Sequence, residues 1–313
     1  MSTPADQAAA GSSYNYYPHV MVRLCEYSYD DPSTIPASVE GEGLTVTWGP
    51  AQLVDFRGVS YSLAYVAQRS DPNEYTVVIR GTPVDSWKAF ISEDFEIHTL
   101  KPFTDFVPNA PATAMIAEGT YHGIEDLMNL TDPTTGDSLL KYLQSANPTY
   151  LYVTGHSLGG TLVPPFFAYL NYALYGGGFV KNMAMWSFAG LTAGNGDFNT
   201  YFNGLFNPAF PWRLYNTLDI APLCWYDEPG IEAIYDPTYT YGEPESTVIG
   251  GLFDLAAGNG YAQPQYGGAP MTGIFQQETG RLKWSDEATH QHQPSTYRRL
   301  VDVAYPYSMR GQG

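Results

Sequence analysis

Apolar residues along the chain recur with two periods, one typical of strands and the other of helices. Short apolar runs rich in β-branched and aromatic residues predict strands at Tyr61–Arg69, Glu74–Arg80, Tyr150–Thr154, Met183–Ala189 and Trp212–Asn216. Apolar residues three to four apart predict helices at Val20–Cys25, Tyr121–Leu130 and Leu139–Gln144, and from Ser157 towards Leu174. Strands that alternate with helices form a largely parallel sheet, so the pattern predicts an α/β fold.

The pattern predicts a single domain over residues 1–313, with three departures from the alternation of strands and helices. The first two predicted strands are separated by Ser70–Asn73, whose residues favour tight turns, so we expect an antiparallel pair. Residues 1–13 are small and polar and predict a flexible tail. Residues 228–280 are dense in Gly, Pro and Tyr and weak in periodicity, which predicts an irregular insertion over the body of the fold.

The strongest local motif is Thr154–Gly160, which satisfies G-x-S-x-G between a predicted strand and a predicted helix. A sharp strand-to-helix turn holds the central Ser157 in a strained backbone position, with its hydroxyl directed towards substrate. Gly155 and Gly159 are then required to avoid collision with neighbouring strands. The backbone N–H of Leu158, at the positive end of the following helix, is placed to stabilise an oxyanion. The motif therefore predicts a nucleophilic serine.

Two other interpretations of the same motif were weighed. A serine in a glycine-rich turn occurs by chance in many proteins, but the strand before it and the helix after it favour the catalytic interpretation. A glycine-rich turn before a helix can also bind phosphate, but the Lys-Ser/Thr pair that engages phosphate and magnesium is missing here.

Four separated segments resemble the class 3 lipases of fungi and bacteria, the Rhizomucor type, in the expected order. Val78–Thr82 resembles the oxyanion strand of that family, and Gly155–Gly160 its elbow. Ala189–Asn195, with Phe198, is similar to its glycine-asparagine signature, and Trp212–Pro222 to the segment that carries its acid. The resemblance implies the α/β-hydrolase fold, with a mostly parallel central sheet flanked by helices.

The resemblance also implies the second half of an oxyanion hole and a lid. Thr82 matches the family position that donates a backbone N–H to the oxyanion, and it would complement the N–H of Leu158. In such enzymes the segment that follows begins a lid or a substrate-binding loop, so residues 87–107 are the candidate lid.

The acid of the triad is expected after the strand that follows the elbow unit, in the chain order Ser, Asp, His. Asp219 fits this position, because it follows Trp212–Asn216 in a segment that resembles the acid motif of the family. Asp197 and Asp227 are the weaker alternatives. The acid would orient the imidazole of the triad and stabilise its protonated form.

The base of the triad is a histidine downstream of Asp219, which leaves His290 and His292. The family histidine precedes a tyrosine by a few residues, and His292 with Tyr297 is the nearer match, although its spacing is longer. We therefore favour His292 and keep His290 as the alternative. His156, beside the nucleophile, is expected to form structural hydrogen bonds near the elbow.

The predicted activity is hydrolysis of carboxylic esters by a Ser-Asp-His triad through an acyl-enzyme, with acylglycerols as the favoured substrates. Alternatives with the same triad are an esterase on short-chain, feruloyl or polyester substrates and a phospholipase A1. An alternative of another class is a binding module that keeps the hydrolase fold without catalysis. The triad requires neither a metal nor an organic cofactor.

Composition restricts the partners of the chain. The net charge is −18, from 32 acidic and 14 basic side chains, and it disfavours nucleic acid, while transient contact with a lipid interface stays open. No obligate protein partner is evident. Cys25 and Cys224 are too few for a disulfide framework and are expected to be buried, with one bridge conceivable. No export signal is visible, although the family resemblance suggests a secreted protein whose signal has been removed.

Overall fold

The computed structural model describes residues 16–69, 73–81, 96–178, 180, 182–205, 212–264, 267–276 and 283–306. The predicted tail, residues 1–13, lies outside them. The described strands are β1 (Thr45–Val54), β2 (Ser60–Arg69), β3 (Glu74–Ile79), β4 (Leu100–Pro102), β5 (Met115–Ala117), β6 (Tyr150–His156), β7 (Met183–Phe188), β8 (Arg213–Asn216) and β9 (Gly268–Met271).

The described helices flank these strands. They are α1 (Tyr16–Tyr27), α2 (Ile35–Glu40), α3 (Glu118–Asn129), α4 (Leu139–Ala146), α5 (Leu158–Tyr175), α6 (Gly196–Asn203), α7 (Glu228–Ala233), α8 (Glu245–Ala256), α9 (Trp284–Gln291) and α10 (Pro294–Ala304). Short 3₁₀ turns occupy Phe103–Asp105 and Ala221–Leu223. Among the described helices, none combines the length and the apolar character that crossing a lipid bilayer requires.

One mixed sheet forms the centre of the fold, in the order β1-β2-β3-β6-β7-β8-β9. The pairs β1-β2 and β2-β3 are antiparallel, and every later pair in the order is parallel. Ile79 of β3 lies opposite Gly155 of β6, and His156 of β6 lies opposite Phe188 of β7. The carboxyl ends of these parallel strands therefore meet at one edge of the sheet, here called the catalytic edge. This is the predicted α/β-hydrolase fold.

Both faces of the sheet are buried at its central strands β3, β6 and β7, as expected for strands covered by helices. Alternate side chains enter two cores because successive residues of a strand point to opposite faces. Val77 and Val153 pack with residues of α3, α4 and α5, whereas Val78 and Tyr152 pack with residues of α1 and α10. The two cores fix β3, β6 and β7, and with them the loops at the catalytic edge.

The predicted strands and helices recur in the structure with small changes of their ends, but residues 228–280 are not irregular as predicted. This segment contains α7 and α8, and its residues 268–271 form β9, the last strand of the central sheet. The sequence of β9, Gly-Ala-Pro-Met, has no strand pattern of its own. It is a strand because it pairs along its whole length with β8, from Arg213 opposite Gly268 to Asn216 opposite Met271.

The predicted lid, residues 87–107, is only partly described. Residues 87–95 lie outside the described part of the chain, whereas residues 96–107 belong to the packed body. Ile97 and Phe103 are fully buried, and β4 pairs with β5. Residues 96–107 therefore pack on the body of the fold in this structure, and the lid over residues 87–107 stays a prediction.

Cys25 and Cys224 are buried free thiols, so the conceivable bridge between them is not formed. Burial raises the pKa of the Cys25 thiol to about 12, and its Sγ lies 3.3 Å from Oγ1 of Thr154. Burial likewise raises the pKa of the Cys224 thiol. Both cysteines thus act as small buried apolar residues.

Candidate active site

Ser157 lies at the turn between β6 and α5, in the strained conformation that the motif predicts. Its φ of 61° and ψ of −127° are unusual for a residue with a side chain. The Ser157 N–H donates to the carbonyl oxygen of Phe188 at 3.0 Å, which ties the turn to the end of β7. The strain is therefore balanced by pairing with the neighbouring strand.

The glycines on either side of Ser157 permit this turn because other backbone segments occupy the space of a side chain. A Cβ on Gly155 would lie 2.5 Å from the carbonyl carbon of Gly159. A Cβ on Gly159 would collide with the carbonyl oxygen of Ile79 and lie 2.9 Å from the carbonyl carbon of Arg80. The turn therefore packs against itself and against the end of β3, as the motif predicts.

Three side chains that are distant in sequence meet at this turn. His292 Nε2 lies 2.8 Å from Ser157 Oγ, and His292 Nδ1 lies 2.9 Å from Oδ2 and 3.1 Å from Oδ1 of Asp219. Because a carboxylate only accepts, the Nδ1–H of His292 donates to Asp219, and Nε2 is then the acceptor that faces the serine hydroxyl. The geometry is that of a nucleophile, a base and an orienting acid.

Asp219 lies on the loop after β8, and two further donors hold its carboxylate. The Tyr297 hydroxyl donates to Oδ2 at 2.7 Å, and the Ala221 N–H donates to Oδ1 at 3.0 Å. The same Tyr297 hydroxyl accepts from the Asn216 N–H at 3.1 Å. Sequence reasoning noted Tyr297 only as a marker for the histidine. Its place five residues after His292 was the available signal, but the contact with Asp219 required the packing of α10 against β8.

A buried polar network, which the sequence did not predict, holds His292 against the sheet. The side-chain amide of Asn216, at the end of β8, donates to the backbone oxygen of Gln291 at 2.9 Å and to its Oε1 at 2.7 Å. The side-chain amide of Gln291 donates to Glu287 Oε1 at 2.6 Å and to the carbonyl oxygen of Ile274 at 2.9 Å. The network connects α9, which ends at the base, to the strand that leads to the acid.

His156 forms the structural contacts predicted for it. It is almost fully buried, and its Nδ1 is hydrogen-bonded to the Tyr29 hydroxyl at 3.0 Å. Burial, and then the nearby His292, lower the pKa of His156 well below its usual value. The two imidazole centroids are 5.0 Å apart. A neutral His156 avoids repulsion when His292 takes a proton.

The alternative acids and the alternative base are placed away from Ser157. Asp227 caps α7, where its Oδ1 accepts from the Gly230 N–H at 3.1 Å, and Asp197 lies in the first turn of α6. His290 Nε2 contacts the Arg299 guanidinium at 3.2 Å. In the described structure Asp219 and His292, rather than these three residues, meet at Ser157.

The predicted oxyanion hole is only half described, because Thr82 lies outside the described residues. Leu158 is the first residue of α5, whose first turn contains no acidic side chain, so the positive end of the helix dipole faces Ser157. Gly81, directly before Thr82, packs on the turn: a Cβ on it would lie 2.9 Å from Cβ of Ser157. The segment that leads to Thr82 therefore lies beside the nucleophile.

The three side chains that meet at the turn are almost fully buried. Ser157 is 3% exposed, His292 5% and Asp219 1%. Charges that develop in such an environment interact more strongly with fixed dipoles than they would in water. Among the described residues, no group of three or more His, Cys, Asp or Glu side chains is placed to hold a metal ion.

Comparison with known structures supports the fold over most of the chain. M37 lipase is 23% identical, with a TM-score of 0.74, and the match covers 94% of this chain and 95% of that one. The triacylglyceride lipase of Rhizomucor miehei is 19% identical, with a TM-score of 0.52, covering 68% of this chain and 75% of that one. A triacylglycerol lipase whose catalytic centre is described as a serine protease triad is 20% identical, with a TM-score of 0.51, covering 68% and 75%.

The sequence itself matches the family described as lipase (class 3) over residues 76–227, from β3 to the loop after the acid. A search of curated proteins found no match. The matched segment includes the elbow, the glycine-asparagine segment and Asp219, in the order seen in the structure. Residues 76–227 thus match the class 3 lipase family, and the protein is a carboxylic-ester hydrolase with the α/β-hydrolase fold.

Proposed function

We propose that the protein is a lipase that hydrolyses acylglycerols, with Ser157 as nucleophile, His292 as general base and acid, and Asp219 as the orienting acid. The observation that carries the proposal is the 2.8 Å contact between Ser157 Oγ and His292 Nε2, with Asp219 on the other ring nitrogen. The substrate class rests on the family match and on the triacylglycerol lipases that share the fold.

Ser157 Oγ attacks the ester carbonyl carbon while His292 Nε2 takes its proton. The carbonyl oxygen becomes an oxyanion, which accepts from the N–H groups of Leu158 and Thr82. Collapse of this intermediate breaks the bond to the alcohol, which leaves with the proton from His292, and an acyl-enzyme remains. Water then attacks the acyl carbon with help from His292, and the fatty acid departs as Ser157 recovers its proton.

Each proposed role predicts a measurable loss of turnover when the residue or donor that carries it is removed. Loss of one oxyanion donor lowers turnover by about a hundredfold or more in related chemistry. Loss of the nucleophile or the base removes nearly all triad catalysis, since the members act as a unit.

The roles are tested with a soluble p-nitrophenyl butyrate assay. Ser157→Ala and His292→Gln are expected to lose at least about a thousandfold in kcat. His290→Gln is the matched control, two residues from the base, and is expected to keep wild-type activity. A fluorophosphonate probe is expected to label the wild-type chain at Ser157 alone. Full activity in Ser157→Ala, or labelling elsewhere, would refute the assignment, and a wild-type chain that is neither active nor labelled would indicate a non-catalytic binding module.

The acylglycerol preference is tested by rates on tributyrin, triolein, short p-nitrophenyl esters, a feruloyl ester and phosphatidylcholine. A lipase is expected to turn over emulsified triolein. Rates confined to the short or feruloyl esters would favour an esterase, and rates confined to the sn-1 ester of phosphatidylcholine would favour a phospholipase A1.

A further inference from the structure

A β-hairpin displays large apolar side chains to solvent. The hairpin tip, residues 54–61, joins β1 to β2. Its Phe56 is 97% exposed, Val59 55%, Tyr61 51% and Val54 49%. Single exposed apolar residues are common on protein surfaces, but several within eight residues concentrate apolar surface at one hairpin end, which is typical of an interaction site.

The hairpin tip is an ordered turn with its charges paired. The Asp55 carboxylate accepts from the N–H of Arg57 at 2.8 Å and from that of Val59 at 2.9 Å, and Gly58 supplies a φ of +81°. The Arg57 guanidinium forms an ion pair with the same carboxylate at 2.8 Å. The turn therefore presents its apolar side chains without further ordering and with no net charge.

The hairpin tip lies at the catalytic edge. β2 runs antiparallel to β3, with Ala64 opposite Ile79, so the start of β2 lies beyond the end of β3. There the Arg80 N–H donates to the Leu63 oxygen at 3.0 Å, and its Nη2 donates to the Ser60 oxygen at 3.0 Å. Gly81, which follows Arg80 just after the end of β3, packs on the Ser157 turn. The apolar tip and the nucleophile thus share one edge of the sheet.

We infer that the hairpin tip inserts into the oil–water surface of a neutral acylglycerol and holds the catalytic edge against it. Apolar and aromatic side chains gain free energy on entering such a surface, and the paired Asp55 and Arg57 remain at its polar boundary. The chain carries a net charge of −18, which disfavours an anionic membrane as the occupant. The inference rests on the proposed lipase function, because the hairpin tip would bring the active site to the surface of its acylglycerol substrate.

Binding is tested without turnover, in Ser157→Ala protein mixed with a triolein emulsion and separated by flotation. Adding Phe56→Ser and Val59→Ser is expected to weaken partitioning by about tenfold or more, since the variant lacks two apolar side chains that would enter the oil. Tyr175→Ser is the matched control: Tyr175 is 43% exposed but ends α5, about 27 Å from the elbow at 1.5 Å per residue. The control is expected to partition like the parent.

Activity measurements separate a failure of this inference from a failure of the proposed lipase function. In an otherwise wild-type chain, the double variant is expected to hydrolyse soluble p-nitrophenyl butyrate normally and to lose about tenfold on emulsified triolein. Equal partitioning of the double variant and the parent, equal loss in the control, or binding to anionic phosphatidylglycerol vesicles in preference to triolein would overturn the inference. A wild-type chain inactive on the soluble ester would instead refute the proposed function, while flotation would still test the hairpin tip.

Discussion

At the residue scale, the Ser157 turn depends on the absence of side chains around it. The serine adopts a φ that side chains rarely permit, and the surrounding backbone leaves no space for a methyl group at Gly155 or Gly159. The position of Ser157 Oγ therefore depends on close backbone packing that only glycine permits at residues 155 and 159.

We predict that Gly159→Ala destabilises the protein by at least about 3 kcal/mol, because the new methyl group meets the backbone of Ile79 and Arg80, which cannot move without shifting β3. Gly251→Ala is the matched control, since a Cβ there meets nothing within 4 Å inside α8. It is expected to stabilise by about 0.4–1 kcal/mol. Urea unfolding midpoints measure both changes. Equal midpoints for the two variants would contradict this account of the turn.

The chain order of Ser157, Asp219 and His292 was readable from sequence, because triad chemistry restricts which residue types can serve and the motif fixes where the first one lies. The choice of His292 over His290 depended on the resemblance, and the structure brings His292 to Ser157. The hydroxyl of Tyr297 and the amide of Gln291 were not assigned, since their partners lie 78 and 75 residues away in sequence. Such contacts follow from how α9 and α10 pack, which no local pattern encodes.

At the element scale, the base is positioned by the attachment of α9 to β8. His292 follows the last residue of α9, and the Gln291 side chain joins this helix end to Asn216 and Glu287 within a fully buried network. A small rotation of the helix end would move the imidazole from Ser157, and a displacement of about 1 Å can cost about a hundredfold in rate.

We predict that Gln291→Met lowers the free energy of unfolding by about 1–3 kcal/mol, because it removes hydrogen-bond partners from buried polar groups while keeping the side-chain volume. We also expect kcat on p-nitrophenyl butyrate to fall by about tenfold or more, since His292 loses its attachment. Gln293→Met is the control, because no side-chain bond of Gln293 caps α10. Wild-type kcat in Gln291→Met would show that the network does not position the base.

The central elements were predicted well and the edge elements poorly, for a common physical reason. β3, β6 and β7 are buried at every position except Tyr150, so apolar residues dominate their sequences and make the strands recognisable. β1 is interrupted by Gly49-Pro50 and exposed along one side, and α8 contains Gly250 and Gly251. Their local propensities are weak, and tertiary pairing decides their conformation.

At the scale of the whole molecule, two features govern the response to pH in opposite directions. The net charge of −18 makes the folded chain repel itself, and acid relieves this repulsion as carboxylates take protons. Buried His156 acts the other way, because its folded-state pKa is well below the unfolded value of about 6.5. The wild type and a variant without His156 carry the same carboxylates, so the difference between their stabilities isolates the effect of His156.

We predict that His156 makes the wild-type protein lose stability as the pH falls through about 6.5. Below that value the unfolded chain binds a proton at this imidazole and the folded chain does not, so the contribution of the neutral, buried ring, fully present above it, falls by up to about 1.4 kcal/mol per pH unit. His156→Gln removes the titration. Urea unfolding from pH 5 to 8 should give parallel stability curves for the two chains above about pH 7.5, and a steeper acid decline for the wild type below about pH 6.5. Curves that stay parallel down to pH 5 would mean that the folded protein accepts a proton on His156 as readily as the unfolded chain does, and would contradict the prediction.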